Sequence, residues 1–270
     1  MSLGLWIEVR PSDDVTALCA RVANMGYSAL HVHFPARCDT ALAQRVAHAA
    51  AAYSLAISAV SGYASMVRPA AAPMGYTLAQ LHELIALLPL LGTRYVVCWA
   101  GTLAEDLLAE HPANRSAAAH AQLSTSLAQL LPALDVVDGV LLIEPFCSHI
   151  LGNVAELAQF IEHTNSPYLG LVLDPPNLML PQSWASQRTQ IDVMVQRLAP
   201  YIGLVHLKDM RLEGDNLELP GPGGGVLDYA AFLGALERYA ISAPRVVEHV
   251  SLDTAAAARA FVLGNKIGVG

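Results

Sequence analysis

Residues 169–177 read Leu169-Gly-Leu-Val-Leu-Asp174-Pro-Pro-Asn177, and residues 202–209 read Ile202-Gly-Leu-Val-His206-Leu-Lys208-Asp209. Each is a short apolar run that ends on an ionisable residue and then gives way to a helical pattern. Runs of Val, Ile and Leu of this length are expected of strands buried on both faces of a parallel sheet. Working outward, the same unit recurs along the chain. The strand candidates are Leu5–Val9, Ala29–Phe34, Leu55–Ser61, Tyr95–Ala100, Val140–Phe146, Leu169–Asp174, Ile202–Lys208 and Arg245–Val250. Helical patterns lie between them, among them Asp13–Asn24, Leu78–Leu91, Ser116–Leu134, Val154–His163, Asp192–Leu198, Tyr229–Tyr239 and Thr254–Phe261, and the Ala-rich stretch Ala47–Ala52 reads as a helix interior. Eight strands alternating with helices in 270 residues predict an α/β fold, a single (β/α)8 TIM barrel occupying residues 1–270 as one domain. An open doubly wound sheet would place a Gly-rich turn after the first strand, and Glu8-Val-Arg-Pro-Ser12 is not one. Long loops are expected over Ala64–Tyr76 and Gly214–Gly225, on the face where barrels build their sites.

Composition narrows the function classes. A net charge of −8 without a Lys/Arg cluster argues against a nucleic-acid partner, because polyanion binding leaves a basic footprint. Cys19, Cys38, Cys98 and Cys147 are dispersed and form no C-x-x-C pair, which fits a reducing cytoplasm better than a disulfide framework. Polar residues interrupt every apolar stretch short of the ~20 residues a spanning helix needs, so no membrane partner is expected. In the most apolar segment, Leu78–Leu91, the interruptions are Gln80, His82 and Glu83.

Four strand candidates end in a potential metal ligand: Leu-Leu-Ile-Glu144, Leu-Val-Leu-Asp174, Leu-Val-His206 and Val-Val-Glu248. The intervals are 30, 32 and 42 residues, which is one β/α repeat twice and then a repeat carrying the Gly214–Gly225 insertion. The four side chains therefore stand at equivalent heights on adjacent strands, and at the strand C-termini of a parallel barrel they can converge. Three carboxylates and an imidazole crowded in an apolar setting repel one another unless a cation joins them. One divalent metal ion resolves this, and oxygen-rich ligation with one imidazole suits Mn²⁺, Mg²⁺ or Co²⁺ and admits Zn²⁺. The bland reading is that each residue separately forms a salt bridge or caps a helix, and it weakens with four in phase with the repeat.

The chain resembles the xylose-isomerase-like sugar phosphate isomerases and epimerases, the family-2 apurinic-endonuclease-like barrels, over essentially its whole length. The resemblance rests on Ile143-Glu144-Pro145, Leu173-Asp174-Pro-Pro-Asn177, His206-Leu-Lys208-Asp209, Gly223-x-Gly225-x-x-Asp228 and Val247-Glu248. It implies that Glu144, Asp174, His206 and Glu248 hold one divalent metal and that Glu144 and Glu248 are also the catalytic residues that move protons. Three positions depart from the family pattern. Asn177 stands where His is frequent, Ala29-Leu-His31-Val-His33 replaces a Gly-hydrophobic-Glu strand end, and Gly224 replaces Glu in the glycine turn. Members also include dehydratases, so the resemblance leaves lyase chemistry open, and its barrels often pair, which admits a homo-oligomer. Its endonucleases gather several metals with many more histidines, and this acidic chain does not follow them.

Other residues near the strand ends have two readings each. His33 shares strand parity with His31 and is a candidate substrate-binding or proton-shuttling group, or one of a hydrogen-bonded core pair. Lys208 shares the parity of His206 and is a candidate substrate-binding cation, or the partner of a carboxylate. Asn177 joins them at the pocket rim as a candidate substrate contact. Pro222-Gly-Gly-Gly225 invites a phosphate-binding reading but lacks the residues of a P-loop, so a flexible turn ahead of an Asp228-capped helix is favoured. Trp6 and Trp99 are read as core packing before sugar stacking.

Together these features suggest metal-assisted proton transfer next to a carbonyl of a polyhydroxylated small molecule, as in a sugar isomerase or epimerase. A metal-dependent dehydratase shares the first step, and a barrel that binds metal or sugar without chemistry is the non-enzymatic alternative.

Overall fold

The computed structural model describes residues 2–72 and 74–265. Eight parallel strands close into a barrel: β1 (Gly4–Glu8), β2 (Ala29–His33), β3 (Ala56–Ser65), β4 (Tyr95–Trp99), β5 (Val140–Glu144), β6 (Leu169–Leu173), β7 (Ile202–Leu207) and, after a small hairpin of β8 (Arg211–Glu213) and β9 (Asn216–Glu218), β10 (Arg245–Val247). Around the barrel the order is β1, β10, β7, β6, β5, β4, β3, β2, each strand parallel to its neighbours. The (β/α)8 expectation holds throughout, with helices between all successive barrel strands.

The strands are apolar on both faces because both are covered. Leu141 and Ile143 of β5 face outward into the large core beneath the helices. Val140 and Leu142 face inward, into a second cluster with Ala59, Tyr63, Val97, Trp99, Val172, Leu204 and Val246 that fills the barrel. Helix starts are fixed locally. Asp14, Asp39, Ser116, Asn153 and Asp228 each accept a backbone N–H of the first turn, and Thr77 with Gln80 forms a reciprocal capping box.

Three local expectations change. The helix expected over Leu78–Leu91 is two, Leu78–Ala86 and Leu88–Leu91, because Pro89 has no N–H and its ring collides with the carbonyl four residues back. β3 continues to Ser65, so the loop expected from Ala64 begins later, and its pairing with β4 shifts register between Ser61 and Ser65. The insertion after β7 is not an open loop. It begins with the β8–β9 hairpin, where Leu212 pairs with Leu217 and Gly214 turns the chain at φ +60°. Among the described residues no helix is long and apolar enough to cross a membrane.

Candidate metal centre

The side chains that point inward at the C-terminal ends of β5, β6, β7 and β10 are Glu144, Asp174, His206 and Glu248. All are buried, and they offer ligand atoms that lie within 4.8 Å of one another. His206 Nδ1 is the hub, 3.1 Å from Glu248 Oε2, 3.5 Å from Glu144 Oε1 and 3.6 Å from Asp174 Oδ2. The strand-end spacing read from the sequence thus brings together the residues expected of it.

The donor set fits a divalent cation. Glu144 Oε2 and Asp174 Oδ1 are buried and make no hydrogen bond, while Asp174 Oδ2, Glu248 Oε1 and His206 Nδ1 meet only charged side chains of the same cluster. Buried polar atoms in folded proteins are normally satisfied, and leaving one unpaired costs about 1–3 kcal/mol. Ligand atoms clustered within 4.8 Å, some of them unpaired, are what a cation would satisfy. Electrostatics agree. Burial pushes the Glu144 and Glu248 carboxyls up, but the charges of His206 and Lys208 outweigh it and hold both below the ordinary carboxylate value. Burial pushes His206 down, and Glu248 and Glu144 carry it back up to about 10. Without a metal, then, the imidazole carries positive charge among three carboxylates.

Lys208 lies inside this cluster. Its Nζ forms ion pairs with Asp174 Oδ2 and Glu248 Oε1, both at 2.7 Å, and lies 5.5 Å from the centroid of the Phe146 ring. Its pKa is raised, burial being outweighed by Asp174 and Glu248. Asn177 donates from Nδ2 to Glu144 Oε1 at 3.3 Å and leaves its own Oδ1 unpaired. Both residues expected at the pocket rim are thus in contact with metal-ligand candidates. His33 stands apart. Its Nδ1 faces Ser61 at 3.2 Å, its Nε2 has no partner, and its ring is stacked on Trp6 and tilted against Tyr63. Burial lowers its pKa to about 4, so the ring is neutral.

The sequence did not disclose a row of aromatic rings that runs up to the cluster. Trp6, His33, Tyr63, Trp99 and Phe146 follow one another from β1 to the end of β5 at centroid distances of 5.4, 5.0, 4.5 and 6.0 Å. The packing role expected of Trp6 and Trp99 is met inside the barrel, where Trp99 belongs to the inner apolar cluster and Trp6 packs against it. His149 joins the row from the loop after β5, donating from Nε2 to Leu107 O at 2.9 Å, with its pKa lowered to about 4 by burial. Strand parity places Trp6 and Trp99 inward, whereas His149 lies on a loop and carries no periodic signal.

The glycine turn has an occupant of its own. The buried carboxylate of Asp209 accepts the backbone N–H groups of Met210 and Leu227 at Oδ1 and of Gly223 at Oδ2. Of the turn's backbone donors, Gly223 N–H is directed onto this carboxylate and Gly224 N–H onto Gly221 O, and Asp228 caps the helix Tyr229–Arg238 as expected.

The comparisons with known proteins agree with this architecture. The crystal structure of 3-keto-D-glucoside 4-epimerase from E. coli superposes with a TM-score of 0.77 at 16% identity, covering 99% of each chain. A probable 3-DHS dehydratase involved in petrobactin synthesis in Bacillus anthracis gives a TM-score of 0.70 at 13% identity, over 100% of this chain and 99% of that one. A xylose isomerase-like TIM barrel protein from Mycobacterium smegmatis in complex with magnesium gives 0.69 at 18% identity, over 94% and 89%. At these identities the likeness shows the fold alone. No curated protein matches the chain. The model of the xylose isomerase-like TIM barrel family matches residues 19–262, and the chain belongs to that family.

Proposed function

We propose that the protein is a divalent-metal-dependent isomerase or epimerase of a sugar or another polyhydroxylated carbonyl compound, with Glu144, Asp174, His206 and Glu248 as metal ligands. One observation carries this reading. Two ionised carboxylates, Glu144 on β5 and Glu248 after β10, both converge on His206 Nδ1, at 3.5 and 3.1 Å, from strands that β6 and β7 separate. A carboxylate on each side of a bound carbon is the arrangement that removes a proton from one face and returns it to the other. When bound, the cation supplies Lewis acidity that polarises the substrate carbonyl.

In this scheme one of the pair takes the proton. The other takes up a proton from solvent and delivers it from the opposite side, giving epimerisation; return of the abstracted proton to the adjacent carbon gives isomerisation. Asn177 keeps Glu144 oriented. Lys208 partly neutralises Asp174 and Glu248 and so limits charge repulsion in the chamber. His33, neutral and with Nε2 free, faces the chamber as a hydrogen-bond partner for a substrate hydroxyl. The epimerase from E. coli supports the reading by its fold and its name. The dehydratase-like neighbour keeps a second outcome in view, in which the same first deprotonation is followed by loss of a β-hydroxyl.

The test is turnover in D₂O of a panel of ketoses, aldoses and keto-polyols with Mg²⁺, Mn²⁺, Co²⁺ or Zn²⁺. Solvent deuterium at carbon in recovered substrate or product, only with metal present, supports the proposal. A dehydrated product would select the lyase, and metal-independent or absent turnover across the panel would count against the reading.

A further inference from the structure

On the far side of the His206 ring from the carboxylates, Nε2 faces the Nδ1 of His31 at 3.1 Å, and the two rings lie 5.2 Å apart at 32°. His31 comes from β2, three strands around the barrel from β7, and reaches across the interior. Both rings are fully buried. Two ring nitrogens at this distance share one proton, so one must donate and the other accept. The direction decides what the opposite edge of His206 can do. If His206 Nε2 holds the proton, a neutral His206 presents a bare lone pair at Nδ1 to the carboxylate cluster. If His31 Nδ1 holds it, a neutral His206 must carry its proton on Nδ1, where it would point at a cation.

We propose that His31 is a positioning residue for the metal centre, accepting the Nε2–H of His206 so that the Nδ1 lone pair is presented to the divalent cation. This rests on the four-residue cluster being a metal site. A histidine ligand is commonly oriented by an acceptor on its second nitrogen, and removal of such an acceptor costs 10–100-fold in metal affinity. Here an imidazole takes the place usually filled by a carboxylate or a carbonyl oxygen. His31 is placed to accept because its Nδ1 is the ring atom that faces His206 Nε2, with both rings fully buried. The arrangement puts the His31 proton on Nε2, which has no partner in the structure. Packing alone does not account for that, since an orphaned buried donor is costly and an apolar side chain would avoid it.

The experiment compares wild type with His31→Leu, which deletes the acceptor at similar volume, and His31→Asn, whose Oδ1 returns an acceptor near the position of the imidazole Nδ1. Binding of Mg²⁺ and Zn²⁺ is measured by calorimetry. The wild type, loaded with either diamagnetic ion, is also examined by ¹⁵N-detected imidazole NMR. The inference expects a 10–100-fold weaker Kd in His31→Leu, recovery toward wild type in His31→Asn, and a protonated Nε2 on His206 in the loaded protein. Equal affinity in His31→Leu, or an unprotonated His206 Nε2 in the loaded wild type, overturns it. The NMR result decides the matter even if His31→Leu does not fold. If wild type binds neither ion, the metal-site reading itself fails, and the inference falls with it for a distinguishable reason.

Discussion

Gly225 lies so close to Asp209 that a Cβ on it would sit 2.5 Å from the carboxylate Oδ1 and 2.2 Å from the carbonyl oxygen of Met210. The turn can close around that carboxylate only with glycine at this point, because the nearest obstacle is backbone. Gly225→Ala is expected to destabilise the protein by about 1–3 kcal/mol, as for other overpacked sites. Asp209→Asn, which weakens three charge-assisted contacts, should have an effect of similar size. Urea unfolding of both variants checks this, and wild-type midpoints would show that the clamp contributes nothing.

His206→Ala removes the hub of the cluster. Protein purified without chelators is expected to carry about one Mn, Mg, Co or Zn per chain, lost in the variant, by elemental analysis. Two or three metals per wild-type chain would point to nuclease-like chemistry instead.

Glu144→Gln and Glu248→Gln keep the shape of each side chain and remove its capacity to take a proton. Each is expected to lower solvent-deuterium exchange by about 10²–10⁴-fold. Because Gln still offers an oxygen, metal content should fall less than in His206→Ala. Exchange at wild-type rate in both variants would remove the two carboxylates from the mechanism.

Lys208 makes two 2.7 Å ion pairs with carboxylates that are also metal-ligand candidates. Lys208→Met leaves those charges with only His206 to offset them in the metal-free protein, at a cost of up to about 3–5 kcal/mol. A bound cation would replace much of the lost charge. The expectation is therefore a lower Tm without metal and a larger rise in Tm on adding Mg²⁺ or Mn²⁺ than in wild type. An equal rise would mean that Lys208 and the cation do not share partners.

His149 is neutral in the fold because burial lowers its pKa from 6.5 to about 4. The unfolded chain takes up a proton near pH 6.5, whereas the folded ring does so only near 4. Its contribution to stability is therefore complete above about 6.5, declines as the pH falls through this window, and is flat below it. Each pKa unit corresponds to about 1.4 kcal/mol, so the loss approaches about 3 kcal/mol. In His149→Gln the decline in unfolding free energy between pH 7 and 4.5 should be shallower, and an unchanged slope would assign the acid sensitivity to other groups.

The barrel and its cluster were legible because both follow a simple period. Glu144, Asp174, His206 and Glu248 recur once per β/α unit, and the alternation of strand residues sends all four inward. The contacts that modulate them were not legible. Whether Asn177 meets substrate or Glu144 depends on the short helix Pro175–Leu178 that Asp174 precedes. Whether His31 is a core residue or the neighbour of His206 depends on register between strands that are not adjacent. The glycine turn ahead of the Asp228-capped helix was read as a turn, but its partner was not legible: Gly223 N–H meets a carboxylate that the chain supplies from Asp209. The hairpin carried a signal, Gly214-Asp215 between Leu212 and Leu217, that a two-residue-turn reading would have caught.

The hairpin leaves and re-enters the barrel at a closed gate: Asp209 N–H bonds Pro220 O at 2.7 Å, and Val226 N–H bonds Met210 O at 2.9 Å. Residues 211–219 are thereby an excursion whose two ends are already tied together. Lengthening such a segment adds little closure entropy, and exposed turns accept inserted sequence. This makes the Gly214-Asp215 turn a modular port. A fluorophore-bearing or affinity sequence spliced there would be carried on a tied-off hairpin, and sequence drift at the same spot would leave the barrel and its cluster as they are.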